Sequence, residues 1–196
     1  TEKVIKAGVA TDYNSGTILE LTAVPDEGYE LWRWSYANIK EEDRTKNPFQ
    51  ITVDKPYEIY ASFIKKKYTL KVNVEGDGEV SAKQIKSGIT DYTNITHGSV
   101  WELEATPNSC DDFIEWTGDA TGSNNPLTIT LDSDKEITAV FDKKKYEVKT
   151  LVEGEGTIEV QLFEGKNEGN IYDCDSKISI RPTASDGHIF HKWIIN

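Results

Sequence analysis

Pro48-Phe49-Gln50-Ile51-Thr52-Val53, followed by Ile59-Tyr60-Ala61-Ser62-Phe63-Ile64-Lys65-Lys66-Lys67-Tyr68, comes back as Pro126-Leu127-Thr128-Ile129-Thr130-Leu131 and Ile137-Thr138-Ala139-Val140-Phe141-Asp142-Lys143-Lys144-Lys145-Tyr146. The offset is 78 residues, from Pro48 to Pro126 and from Tyr68 to Tyr146. A period of that length makes each copy one small folding unit in a tandem array. Apolar and polar residues alternate inside the copies: Tyr68, Leu70, Val72 and Val74 against Thr69, Lys71, Asn73 and Glu75, and Trp101, Leu103 and Ala105 against Glu102, Glu104 and Thr106. Such alternation reads as strands with one buried and one wet face. No longer segment carries an apolar stripe at helical spacing, and residues 85–97 have room for a single helical turn at most.

Extending the comparison outward finds a third, partial copy. YTLKVNVEGDGE at 68–79 matches YEVKTLVEGEGT at 146–157, and GTILELTAVP at 16–25 matches GSVWELEATP at 98–107 and, more weakly, DCDSKISIRP at 173–182. Trp34 and Trp116 follow Pro25 and Pro107 by nine residues, whereas Trp193 follows Pro182 by eleven, which reads as a loop insertion. Gly76-Asp77-Gly78 predicts a tight hairpin pairing 68–75 with 79–85; strands 99–106 and 112–117 follow, then a pair 127–131 and 136–142. The expected fold is mainly β: small β-grasp-like or sandwich-like modules in tandem, forming an elongated rod. The modules are framed as 1–64, lacking its first strand, 68–142, complete, and 146–196, lacking its last strands and so leaving an open edge. The chain reads as part of a longer array that continues in its parent protein.

Composition narrows the function classes. With 37% hydrophobic and 10% aromatic residues the chain is well above the disordered range. A net charge of −12 argues against nucleic acid or an anionic lipid surface as partner, since both need a clustered basic face. No apolar run is long enough to insert in a membrane. The lysine triplets 65–67 and 143–145 read as solvated linkers between modules.

Gly-x-Val-x-x-Leu-x-Ala-x-Pro at 98–107, Phe113-x-x-Trp116, Asn-Pro-Leu-Thr-Ile-Thr at 125–130 and Ile-Thr-Ala-Val-Phe at 137–141 together resemble the divergent internalin B-repeat family, a bacterial surface repeat module. The resemblance spans essentially the whole chain, close in 68–141, good in 16–64 and looser in 146–196. It implies a β-grasp-like domain of extracellular stalks, adhesins and polysaccharide-degrading enzymes, with no catalysis of its own and no cofactor. The implied function is a non-catalytic segment of a bacterial extracellular or cell-surface protein, a stalk, spacer or adhesin shaft. The alternative is a carbohydrate-binding accessory segment of a secreted polysaccharide-active enzyme, its partner an extracellular glycan or protein. Two departures from the pattern stand out. Gly28-Tyr29 and Gly187-His188 become Cys110-Asp111 in the second copy, which is expected to lose that turn, and the insertion 35–47 makes one loop four residues longer than its counterpart.

Candidate sites are few. His97, His188 and His191 do not recur among the copies, and a strand would point His188 and His191 to opposite faces, against a shared metal. No serine sits in a nucleophile elbow, so no catalytic residue is nominated. Asp111, Asp112, Asp132, Asp134 and 119–125 lack the loop pattern of a strong calcium site and read as solvated turns. Trp34, Trp116 and Trp193 recur and read as core anchors; Trp32, Tyr36 and Trp101 do not recur as such and are the candidates for stacking on a sugar, with packing as the competing role. Cys110 replaces the expected glycine and Cys174 aligns with Ser99, so neither belongs to the repeat. In an oxidising compartment they have one pairing available; alternatively they are two thiols too far apart to bond.

Overall fold

The structure, a computed structural model, describes residues 12–86 and 92–194. Among these, 12–69, 92–99 and 131–134 form one compact unit, and 70–86, 100–130 and 135–194 form a second. The chain is mainly β, as the alternation requires. The helical element among the described residues is one short 3-10 turn, Glu41–Asp43. Within 85–97, expected to hold a single helical turn at most, residues 87–91 lie outside the described ones.

In the first repeat, β1 (Ile18–Leu21), β2 (Tyr29–Ser35), β3 (Phe49–Thr52) and β4 (Tyr60–Lys65) alternate between two antiparallel pairs. β1 lies on β3 with Leu19 opposite Ile51, and β2 lies on β4 with Trp34 opposite Ala61. Ala23, Trp34, Ile39, Phe49 and Ile51 are buried together, with Leu19, Leu31 and Ile59 packed against them. The inserted loop contributes Ile39 and returns to the sheet through Arg44, whose carbonyl accepts the Trp34 N–H at 2.7 Å. The shorter loop of the second copy makes the same return, Gly122 accepting from Trp116 at 2.7 Å.

The second repeat comprises β5 (Lys67–Tyr68), β6 (Leu70–Glu75), β7 (Gly78–Lys86), β8 (Ile95–Thr96), β9 (Ser99–Pro107), β10 (Asp111–Gly118), β11 (Leu127–Leu131) and β12 (Lys135–Lys143). Its main strands form two three-stranded sheets, β11-β9-β7 and β10-β12-β6. Two expected pairings are therefore corrected. β6 and β7 lie in different sheets, so Gly76-Asp77-Gly78 closes no hairpin; β6 instead runs parallel to β12, Leu70 opposite Lys135 and Val74 opposite Ala139. Nor do 127–131 and 136–142 pair, since β11 joins β9 and β12 joins β10. The physical reason is burial. Strands with one apolar face each leave that face wet if laid in a single sheet, whereas an arch placing them in two sheets gives each apolar row a covering layer. Gly76, at φ +89°, and Gly78 allow the arch, because a side chain at Gly76 would strike the Phe141 carbonyl and one at Gly78 the Phe141 ring. Leu70, Trp101, Leu103, Trp116, Leu131, Ile137 and Ala139 are all 1% exposed or less.

In the third repeat, β13 (Lys145–Glu147), β14 (Gly156–Glu164), β15 (Asn167–Glu168), β16 (Ile171–Asp173) and β17 (Lys177–Ala184) rebuild half of this plan. β14 pairs β17 with Gly156 opposite Ala184, as β7 pairs β9 with Gly78 opposite Pro107. Ala184, not Pro182, thus stands in the place of Pro107, and Trp193 follows it by the usual nine residues. The apparent two-residue insertion disappears. Residues 148–153, the counterparts of β6, form no strand, because among the described residues nothing corresponds to their β12 partner. For the same reason Trp193 is 45% exposed and joins no core, unlike Trp34 and Trp116. The segment 185–194 forms no strand either, so His188 and His191 do not alternate across a sheet as expected.

Candidate functional site

Each complete core is locked by one clamp that the sequence does not announce. The Trp116 indole N–H donates to the Asn124 carbonyl at 2.9 Å, and the next residue, Asn125, uses its amide to donate to the Ala105 carbonyl at 2.7 Å and accept the Ala105 N–H at 2.9 Å. In the first repeat Trp34 donates to the Lys46 carbonyl at 2.9 Å and Asn47 holds both backbone groups of Ala23 at 2.8 Å. The Asn47-Pro48 and Asn125-Pro126 peptides are both cis. The recurring Ala-x-Pro, Trp and Asn-Pro signatures are therefore one hydrogen-bonded unit, in which a side-chain amide replaces a missing ladder partner.

A second recurring geometry sits at the lysine triplets, which are strand ends and not loose linkers. Lys66 N–H donates to the Gly28 carbonyl at 2.8 Å and Lys66 O accepts the His97 N–H at 2.9 Å; Lys144 N–H donates to the Cys110 carbonyl at 2.9 Å and Lys144 O accepts the Cys174 N–H at 2.7 Å. Cys110 and Cys174 thus occupy equivalent places to Gly28 and His97, and Cys174 does not correspond to Ser99. In the first case the His97 ring covers the Gly28 Cα so closely that any side chain there would collide. In the second the two cysteines are joined by a disulfide, Cα atoms 5.4 Å apart. The turn before Cys110 is retained: Asp111 N–H donates to Asn108 O at 3.1 Å as Tyr29 does to Asp26 O at 3.0 Å, correcting the expected loss. Asp111, 2% exposed, is neutralised by Lys143 Nζ at 2.8 Å, and that bond raises the lysine pKa.

The other sequence candidates sort by environment. Asp119 accepts the Glu136 N–H and Asp134 the Thr69 N–H, both at 2.7 Å, so two of the acidic turn residues cap backbone donors. Among the described residues the grouping of three metal-type side chains is Cys110, Cys174 and Asp175, whose sulfurs are bonded to each other. Trp101 is 1% exposed at the centre of β9 and is excluded as a glycan contact by burial. Trp32, 47% exposed, stands at a bulge in β2 with the Arg33 guanidinium 3.9 Å above its ring. Ile114 holds the matching bulge of β10 and is 46% exposed, so Trp32 is not core.

Tyr36 meets partners that the sequence did not link to it. Its ring stacks on Phe49 at 5.9 Å and meets Tyr57 edge-on at 5.6 Å, and with Ser35, Pro56, Glu58 and Tyr60 these tyrosines line an open cleft of about 480 Å³. Tyr57 Oη donates to Asp54 at 2.6 Å and Tyr60 Oη to Glu58 at 3.3 Å. The Asp54 bond lifts the Tyr57 pKa to about 12. A raised pKa means that the bond favours the folded state while the phenol is protonated, so its contribution is complete below about pH 10 and fades as pH rises toward 12. Phenolate absorbance of the native chain is expected to include a late step near pH 12 that vanishes in Tyr57→Phe and moves to lower pH in Asp54→Asn.

Compared with known families, the chain matches the model described as the divergent InlB B-repeat domain over residues 4–67 and again over 68–145. No curated protein and no solved structure matches it.

Proposed function

Because the chain belongs to the divergent InlB B-repeat family, we propose that it is a non-catalytic tandem segment of a bacterial extracellular or cell-surface protein, acting as stalk, spacer or adhesin shaft, with modules at 1–64, 68–142 and 146–196. The carrying observation is the junction geometry. Lys66 and Lys144 each make the same pair of backbone bonds, so successive repeats join by a repeated strand connection, not a free linker. A joint whose local bonding recurs with the period suits a spacer built by repetition. The Cys110–Cys174 bridge supports an oxidising, extracellular setting. Duplicating residues 68–145 within the chain is the test. Energy transfer between dyes at the two ends should fall with the added repeat; unchanged transfer would mean that the copies cluster and would overturn the spacer reading.

A further inference from the structure

The first repeat carries three rings that the second replaces with non-aromatic residues; Tyr36 and Tyr57 also pack in part against its core, and Tyr60 stands outside it. By the matched registers, in which Ser35 faces Tyr60 in β2·β4 and Thr117 faces Thr138 in β10·β12, Tyr36, Tyr57 and Tyr60 correspond to Gly118, Lys135 and Thr138. The second repeat builds the same pairs of strands and a better buried core with none of them. All three line the one cleft described above, and Tyr60 remains 59% exposed. We propose that this cleft binds a neutral saccharide, the tyrosine rings stacking on its C–H face and the carboxylate of Glu58 accepting from its hydroxyls. The proposal goes beyond the spacer role and stands or falls separately from it.

Polarity selects the ligand class. Two phenol donors are already committed, Tyr57 to Asp54 and Tyr60 to Glu58, and each carboxylate retains further acceptor capacity. The Tyr36 and Ser35 hydroxyls can donate or accept, so the cleft offers ring faces, hydroxyls and an anionic acceptor, and suits a ligand that brings donors of its own. A sugar brings an apolar ring face edged with hydroxyl donors. A polyproline segment, the other common guest of tyrosine-lined grooves, has no N–H to give. Of the charges nearby, Asp43 is paired with Lys46 at 2.7 Å and Lys55 Nζ stands 5.4 Å from the Tyr57 ring, while Glu58, the charged residue of the lining, disfavours a uronate or sialylated chain.

The test is calorimetric titration of the 196-residue chain with cellohexaose, laminarihexaose, mannohexaose and xylohexaose, with hexagalacturonate and decaproline as contrasts. At least one neutral hexasaccharide should bind, about tenfold more weakly to Tyr60→Ala, a loss on the scale of one aromatic stack. Glu58→Gln should weaken it too, and serves if Tyr60→Ala does not fold. Trp32→Ala should bind as the unaltered chain does. The assignment is overturned if no neutral hexasaccharide binds, if binding survives both cleft substitutions or is lost in Trp32→Ala, or if hexagalacturonate or decaproline takes the cleft instead.

Discussion

Trp116→Ala is expected to destabilise the second repeat by about 3–5 kcal/mol, the range for truncating a fully buried large aromatic. Trp116 is 0% exposed, and its ring lies 5.2 Å from Phe113. Its indole N–H also fixes the Asn124 carbonyl, and with it the placing of Asn125 against Ala105. The substitution opens a cavity and loosens the clamp together, which puts it toward the upper end. Asn125→Ala, which strands two partly buried backbone groups without a cavity, should cost about 2 kcal/mol. Trp193→Ala is the internal control. Its ring is 45% exposed, so the change should stay within about 0.5 kcal/mol. Urea unfolding followed by circular dichroism measures all three, and a Trp193 effect as large as that of Trp116 would refute the difference drawn between the repeats.

Loss of the Cys110–Cys174 bridge should be of similar size. The bond closes a loop across 64 positions, for which the chain-entropy model gives a stabilisation of about 4 kcal/mol. Unfolded, unreduced protein should show no reactive thiol; two thiols per chain would refute the bond. Cys110→Ser with Cys174→Ser should melt earlier, with the third repeat the first to go, since it has the least buried core: Ile180 is 38% exposed where its counterpart Leu103 is 0%. A sharper comparison is Cys110→Gly with Cys174→His, which copies the Gly28 and His97 arrangement. It should recover part of the loss, because the first junction holds without a covalent bond.

The period, the strands and the three copies were legible because alternation and repetition are local properties of the sequence. The pairing of strands was not. Gly76-Asp77-Gly78 serves a hairpin and an arch equally well, and only the parallel partner of β6, far along the chain, decides between them. The weak match at Pro182 misled for a similar reason: two backbone registers fit the letters, and the ladder of β14 with β17 admits one. Tryptophan burial was predictable at Trp34 and Trp116 and failed at Trp193, for which the described residues hold no covering strands. Of the cleft, Tyr36 alone was foreseen. Tyr57 and Tyr60 could have been found by asking where the first copy carries aromatics that the second replaces with Lys135 and Thr138.

The parallel union of β6 with β12 also bears on how such an array is made. Leu70 pairs with Lys135, and Lys71 bonds Glu136 across 65 positions. At a ribosome adding about 5–20 residues per second, the opening strand of a repeat is synthesised roughly 3–13 s before the strand that receives it. Throughout that interval a nascent repeat resembles residues 148–153, with Leu151 and Val152 open to solvent. Every new copy therefore emerges as an unclosed sheet trailing a finished one, and the growing end is where a chaperone or a stray strand would find the chain exposed.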